Sequence, residues 1–243
     1  MRRIPGALFL VAAGLALAQG PPVGNLVYRF DEVKSRVSRA PGGDEERAVR
    51  VSAGDLAEAG DVVKTGLFGR AVLSVPERAA RFEVFSSARV RLAGGEPGVL
   101  LVLESGRLKA VFDAFTGAAE ERRVAAPGAL LAVRGTRYGL EVVGKDETTL
   151  AVFEGTVEVF PADGSPSFRV ERDEYGVFGR STPPRKGRMG DAGMTEKSWG
   201  SRGTAGAGGG PGGPGAQGSP GSGPGTSGSQ KSRTGGGGGR GGH

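Results

Sequence analysis

The chain has 243 residues, with 32 Lys and Arg against 26 Asp and Glu, a formal net charge of +6, 47 glycines, one histidine and no cysteine. Without cysteine there are no disulfides, no thiol nucleophile and no lipidated cysteine. The only histidine is His243, inside a glycine-rich run, which excludes Ser-His-Asp and Cys-His nucleophile systems and histidine-based metal sites.

The first stretch, MRRIPGALFLVAAGLALAQG, places two arginines before a mostly apolar run from Ile4 to Leu17 and closes on Ala16-Leu17-Ala18. A basic start, a short apolar middle and small residues at the cleavage positions read as a signal peptide over residues 1–18. The run is shorter than the roughly 20 apolar residues a membrane span needs, so no transmembrane span is expected once the leader is cleaved. The expected location is exported: periplasmic, cell-surface or extracellular.

Residues 25–180 suit one domain in size, and their apolar pattern has period two. In AARFEVF, Ala80, Phe82 and Val84 share a face; in ARVRL, Ala88, Val90 and Leu92 do. GRLKAVF aligns Leu108, Ala110 and Phe112, TRYGLEV aligns Tyr138, Leu140 and Val142, and SFRVE ends with Phe168 and Val170. Such alternation belongs to strands with one dry and one wet face. Turn pairs such as Thr65-Gly66, Gly94-Gly95, Ser105-Gly106, Glu154-Gly155 and Asp163-Gly164 separate them at short intervals. Only Ser52–Asp61 and Phe115–Arg123 look weakly helical. The expected fold is all-β, many short strands in a sandwich or a short β-roll or solenoid-like module.

From residue 181 the composition changes. Glycine, serine and proline dominate, and all of the +6 resides here, because residues 1–180 carry equal numbers of basic and acidic side chains. A segment with so little apolar surface cannot offset its ordering entropy, so residues 181–243 are expected to be a disordered, basic, flexible tail. Trp199, the sole tryptophan, falls within it and is expected to be exposed.

One strand poses a problem. In ALLAVRGTRYGLEV, strict alternation carried back from Tyr138 puts Arg134 on the apolar face. Either a β-bulge at Gly135 resets the alternation and turns Arg134 outward, or Arg134 is buried and paired with a carboxylate.

Three blocks of the sequence resemble a FecR-type domain. GDVVKTGLFGRAVLSV supplies Asp61, Thr65 and Gly66; AAPGALLAVRGTRYGLEV supplies Pro127, Arg134, Gly135 and Thr136; TTLAVFEGTVEVF supplies Glu154, Gly155 and Val157. Tyr138 stands where that family usually has Phe. The resemblance covers about residues 26–179 and implies an all-β extracytoplasmic module. Only Met1 to Arg3 precede the apolar segment, so the cytoplasmic anti-sigma region of the best-known members has no counterpart, and their iron-signalling role is not carried over.

The acidic groups Asp44-Glu45-Glu46, Glu120-Glu121 and Glu171/Asp173/Glu174 lie in polar, loop-like stretches, which favours solvated charge over paired catalytic carboxylates. No cofactor, metal or catalytic residue is expected, and Asp61, Thr65, Gly66, Pro127, Arg134, Gly135, Thr136, Glu154 and Gly155 are expected to be structural. The tail echoes RGG segments, but behind a secretory leader no specific nucleic acid is expected. The expectation is a non-enzymatic binding or scaffold module whose tail tethers it to an envelope polymer or a surface or periplasmic protein. The alternative is an extracytoplasmic sensor whose cytoplasmic part is on another protein.

Overall fold

A computed structural model describes residues 26–92, 98–114 and 122–201. The expected signal peptide, most of the second helix-like stretch and the glycine-rich run after Ser201 lie outside the described residues. Among those described, the regular structure is nearly all strand, and every expected strand is present.

Before the middle of the chain come β1 (Val27–Lys34), β2 (Val37–Ala40), β3 (Val49–Arg50), β4 (Leu56–Glu58), β5 (Val62–Thr65), β6 (Arg70–Val75), β7 (Ala80–Val84) and β8 (Arg89–Leu92). The long β9 (Val99–Phe112) follows. After it come β10 (Arg122–Ala126), β11 (Ala129–Val133), β12 (Arg137–Val143), β13 (Glu147–Glu154), β14 (Thr156–Pro161), β15 (Phe168–Glu171), β16 (Glu174–Gly179), β17 (Arg185–Arg188) and the helix α1 (Glu196–Ser201).

The pairings resolve into two sheets that share β9. Sheet I runs β4-β1-β6-β7-β9-β12-β13-β16-β17. Sheet II runs β3-β2-β5-β8-β9-β10-β11-β14-β15. All pairs are antiparallel except β9 with β10. In both sheets β9 is central, with the preceding chain on one side and the following chain on the other.

The sequence of β9 explains how one strand serves two layers. Its first half faces the core with Leu101 and Leu103, odd positions; its second half does so with Leu108, Ala110 and Phe112, even positions. The parity changes at a bulge, where Arg89 opposes Ser105 but Val90 opposes Leu103. An extra residue bends a strand and resets its alternation. Gly106 follows at φ +84°, and a Cβ there would lie 2.5 Å from the Ala88 Cα, so glycine is required at the bend.

Both inner faces merge into one core. Sheet I contributes Tyr28, Phe30, Leu73, Phe82, Leu108, Tyr138, Leu140 and Phe178, and sheet II contributes Val37, Val63, Val90, Leu101, Leu131, Val157 and Val159, all fully enclosed. Phe112 stands edge-on to Phe82 at 5.7 Å and stacks on Tyr138 at 6.1 Å. The all-β expectation is therefore met, as a curled, mainly antiparallel arrangement whose two halves are coupled by a bent strand.

Two expectations need correction. Ser52–Asp61 is not helical: β4 lies there between turns, and Ala57 enters the core. The Asp55 carboxylate accepts the Ser52 N–H at 2.8 Å, and Gly54 and Gly60 take φ values of +94° and +93° that a helix does not use. Ordered chain also continues past residue 180, the expected boundary. β17 pairs with β16, α1 follows, and Trp199 is fully buried rather than exposed. The strand Arg-Lys-Gly-Arg has no apolar side chain to betray it; it joins the sheet through its backbone.

Candidate functional site

The first motif block builds a corner. Asp61 follows β4 and is 4 % exposed. Its carboxylate accepts the N–H groups of Gly42 at 2.8 Å and Glu58 at 3.0 Å, together with the Arg39 guanidinium at 2.9 Å. A buried carboxylate needs this degree of satisfaction to be tolerated. The Thr65 hydroxyl donates to the Phe85 carbonyl and accepts the Ala88 N–H at 2.9 Å. Gly66 donates its N–H to the Arg36 carbonyl at 2.8 Å and sits so close that a Cβ would lie 3.2 Å from the Arg36 Cβ.

The second and third blocks meet. Arg134-Gly135-Thr136 links β11 in sheet II to β12 in sheet I, and Glu154-Gly155 links β13 in sheet I to β14 in sheet II. These two crossings stack. A Cβ on Gly155, at φ +80°, would lie 2.7 Å from the Gly135 carbonyl oxygen and 2.8 Å from the Thr136 Cγ2. Arg137 pairs with Glu154 beside them. Arg134 is exposed, which overturns the buried, paired alternative and agrees with the outward one; the cause is a break at Gly135, with the strand ending at Val133 and restarting at Arg137, rather than a bulge within one strand. Thr136 is buried, and its backbone carbonyl accepts the Phe112 N–H at 2.9 Å. Pro127 lies at a different turn, between β10 and β11, where its carbonyl accepts the Thr148 hydroxyl at 3.2 Å. The motif residues thus hold corners and crossings. Asp61, Thr65 and Pro127 make hydrogen bonds with neighbouring turns and strands, Glu154 pairs with Arg137, and the Thr136 hydroxyl is buried with no partner among the described residues.

Of the acidic groups, Glu120-Glu121 lies outside the described residues, and the other two carry partnered carboxylates. Glu45 pairs with Lys64 and Arg89, whose hydrogen bonds hold its carboxyl below the usual range. Glu174 accepts the Glu171 N–H at 3.0 Å and faces Lys186, and it too is held down. Among the described residues no three acidic or histidine side chains group as a metal site would require.

Two surface features were not anticipated. The first is a strap, residues 189–201, laid over the outer face of sheet I. Trp199 packs against Gly139 of β12, whose missing side chain is the seat: a Cβ there would lie 2.2 Å from the indole Cε2. The indole N–H donates to the Leu108 carbonyl at 3.1 Å, and Phe153 meets the ring edge-on at 6.1 Å. Met189, Met194, Phe85 and Ala151 complete this second apolar cluster. Glu196 bridges Lys109 at 2.8 Å and Arg137 at 3.4 Å. Burial raises its pKa, but these two cations outweigh that and hold it below normal. The available signal was Gly139 itself, since an interior strand glycine often marks a close approach.

The second feature is the β5–β6 turn, Gly66-Leu67-Phe68-Gly69, closed by a Gly69 N–H to Gly66 carbonyl bond of 2.8 Å. Leu67 is 66 % and Phe68 79 % exposed. Phe68 adopts φ +66°, a left-handed backbone that glycine takes without cost.

No family model matches the chain, and no curated protein matches it. Among solved structures, two crystal structures of a proposed anti-sigma factor from Parabacteroides distasonis ATCC 8503, at 2.50 and 1.65 Å resolution, resemble it at a TM-score of 0.44 and 13 % identity. The alignment covers 52 % of this chain and 59 % of theirs, so the chain spans about three-fifths of the length of those structures. A likeness of that size is a distant one in fold and carries nothing about activity.

Proposed function

We propose that the chain is an exported, non-enzymatic, FecR-like module of the cell envelope, an all-β body whose basic, glycine-rich tail serves as a tether. The observation that carries this reading is the strap. Trp199 and Glu196 fix the chain against sheet I up to Ser201, so the glycine-rich sequence beyond departs from a set point on a stable body. That sequence contains Arg202, Lys231, Arg233 and Arg240 and no acidic residue, a composition suited to salt-sensitive attraction toward anionic envelope polymers. The motif residues support a scaffold in the same sense, because their hydrogen bonds go into the corners of the fold.

The test is to end the chain after Ser201 and measure association with isolated cell-wall material across a salt series. The truncated protein should keep its thermal transition and lose the salt-dependent part of binding. Unchanged binding would remove the tether from the reading. Specific recovery of a transmembrane regulator by the full chain would replace the scaffold with the sensor alternative.

A further inference from the structure

We propose that the Leu67–Phe68 turn is a membrane-contact tip that inserts into an anionic lipid surface. Three observations meet there. The turn projects two adjacent apolar side chains that are mostly solvent-exposed. The backbone pays for it: Phe68 holds φ +66°, where a non-glycine residue is strained, and such strain collects at functional positions. Cations surround the base of the turn. Arg36 lies directly beneath, its carbonyl accepting the Gly66 N–H. Lys34 stands opposite Arg70 across β1 and β6, like charge facing like charge. Arg50 reaches the Ser35 carbonyl at 3.3 Å. Arg70 pairs with Glu83 at 2.8 Å, but Lys34, Arg36 and Arg50 have no carboxylate partner among the described residues.

The occupant follows from size, shape and sign. Two side chains on a convex turn fall far short of the roughly 1,200 Å² that a specific protein interface buries. A bilayer takes up single side chains without a complementary pocket, and apolar insertion combined with basic residues is how peripheral modules gain affinity for anionic leaflets. The tip is separate from the tether: a chain ended after Ser201 carries the same turn, so the two readings succeed or fail independently.

The experiment uses the full chain with Phe68→Trp, the unsubstituted protein giving the background of buried Trp199. Phosphatidylcholine vesicles with and without phosphatidylglycerol, each carrying brominated acyl chains, are the probe. The expected result is added tryptophan quenching on phosphatidylglycerol vesicles only. Lys34→Glu and Arg36→Glu should each lower the partition coefficient at least about fivefold. Phe68→Gly should lower it while leaving the thermal midpoint equal or higher, since glycine suits that φ. Quenching no greater than background, equal quenching on neutral vesicles, or photo-crosslinking from position 68 to one protein instead of lipid would each overturn the proposal.

Discussion

Gly139→Ala is the most incisive perturbation of this protein. The new methyl group would fall 2.2 Å from the Trp199 Cε2, 2.5 Å from Nε1 and 2.6 Å from Cδ2, a collision with a rigid ring rather than with a flexible end. The strap must therefore lift. A buried tryptophan hides about 200 Å², which at ~25 cal/mol per Å² corresponds to about 5 kcal/mol of transfer free energy. The indole hydrogen bond to Leu108 adds about 1 kcal/mol. Part of this is offset by the conformational freedom the released strap regains, so the net loss should be about 2–4 kcal/mol, close to what removal of a large core side chain costs. At 2–4 °C per kcal/mol for a domain of this size, the midpoint should fall by roughly 5–15 °C. Because Trp199 is the only tryptophan, its fluorescence reports the strap directly. The variant should emit further to the red in its native state and be quenched freely by acrylamide, with the far-ultraviolet β signal retained because the central core does not include Trp199. Unchanged emission together with an unchanged midpoint would refute the packing argument.

Other expectations bear on the core, the corners and pH. Tyr138 is fully buried with no partner for its hydroxyl among the described residues, and burial pushes its pKa strongly upward; Tyr138→Phe should raise stability by about 1 kcal/mol in urea melts, and a loss would point to a hydrogen bond to water. Asp61→Ala should cost about 3 kcal/mol or more, measured the same way, because two backbone donors and Arg39 lose their acceptor together. Glu196 has a depressed pKa in the folded chain, so its contribution is present above its ordinary value and lost as pH falls through the lower folded one; Trp199 emission should move to the red on acidification below about pH 4.5, and Glu196→Gln should flatten that curve. Gly155→Ala should destabilise by about 1–3 kcal/mol, since a side chain there meets Gly135 and requires a strained φ; a midpoint within one degree or so of the parent would show that the two crossings do not depend on each other.

The strands were legible because their side chains obey a local rule: Phe82 and Val84, or Leu140 and Val142, reveal a face by alternation alone. The turns were legible for a related reason, since Thr65-Gly66 and Glu154-Gly155 announce them. What escaped depended on partners far away in sequence. The seat for Trp199 is a glycine 60 positions earlier, so composition around the tryptophan suggested only a tail. Likewise β17 is a strand because β16 offers an open edge, not because Arg-Lys-Gly-Arg prefers one. The Arg134 problem arose from assuming one continuous strand where the chain changes layers. Leu67 and Phe68 were read as part of a motif block, and nothing local says that a phenylalanine will accept a glycine's backbone angle.

The bent β9 has a mechanical consequence. Because its two halves are joined by a single glycine at the bend and each lies at the middle of its layer, neither layer can peel away without dragging the other's central hydrogen bonds with it. Hydrogen exchange should therefore be slowest along 101–103 and 108–111 together, and a pulling force should meet one high barrier instead of two modest ones.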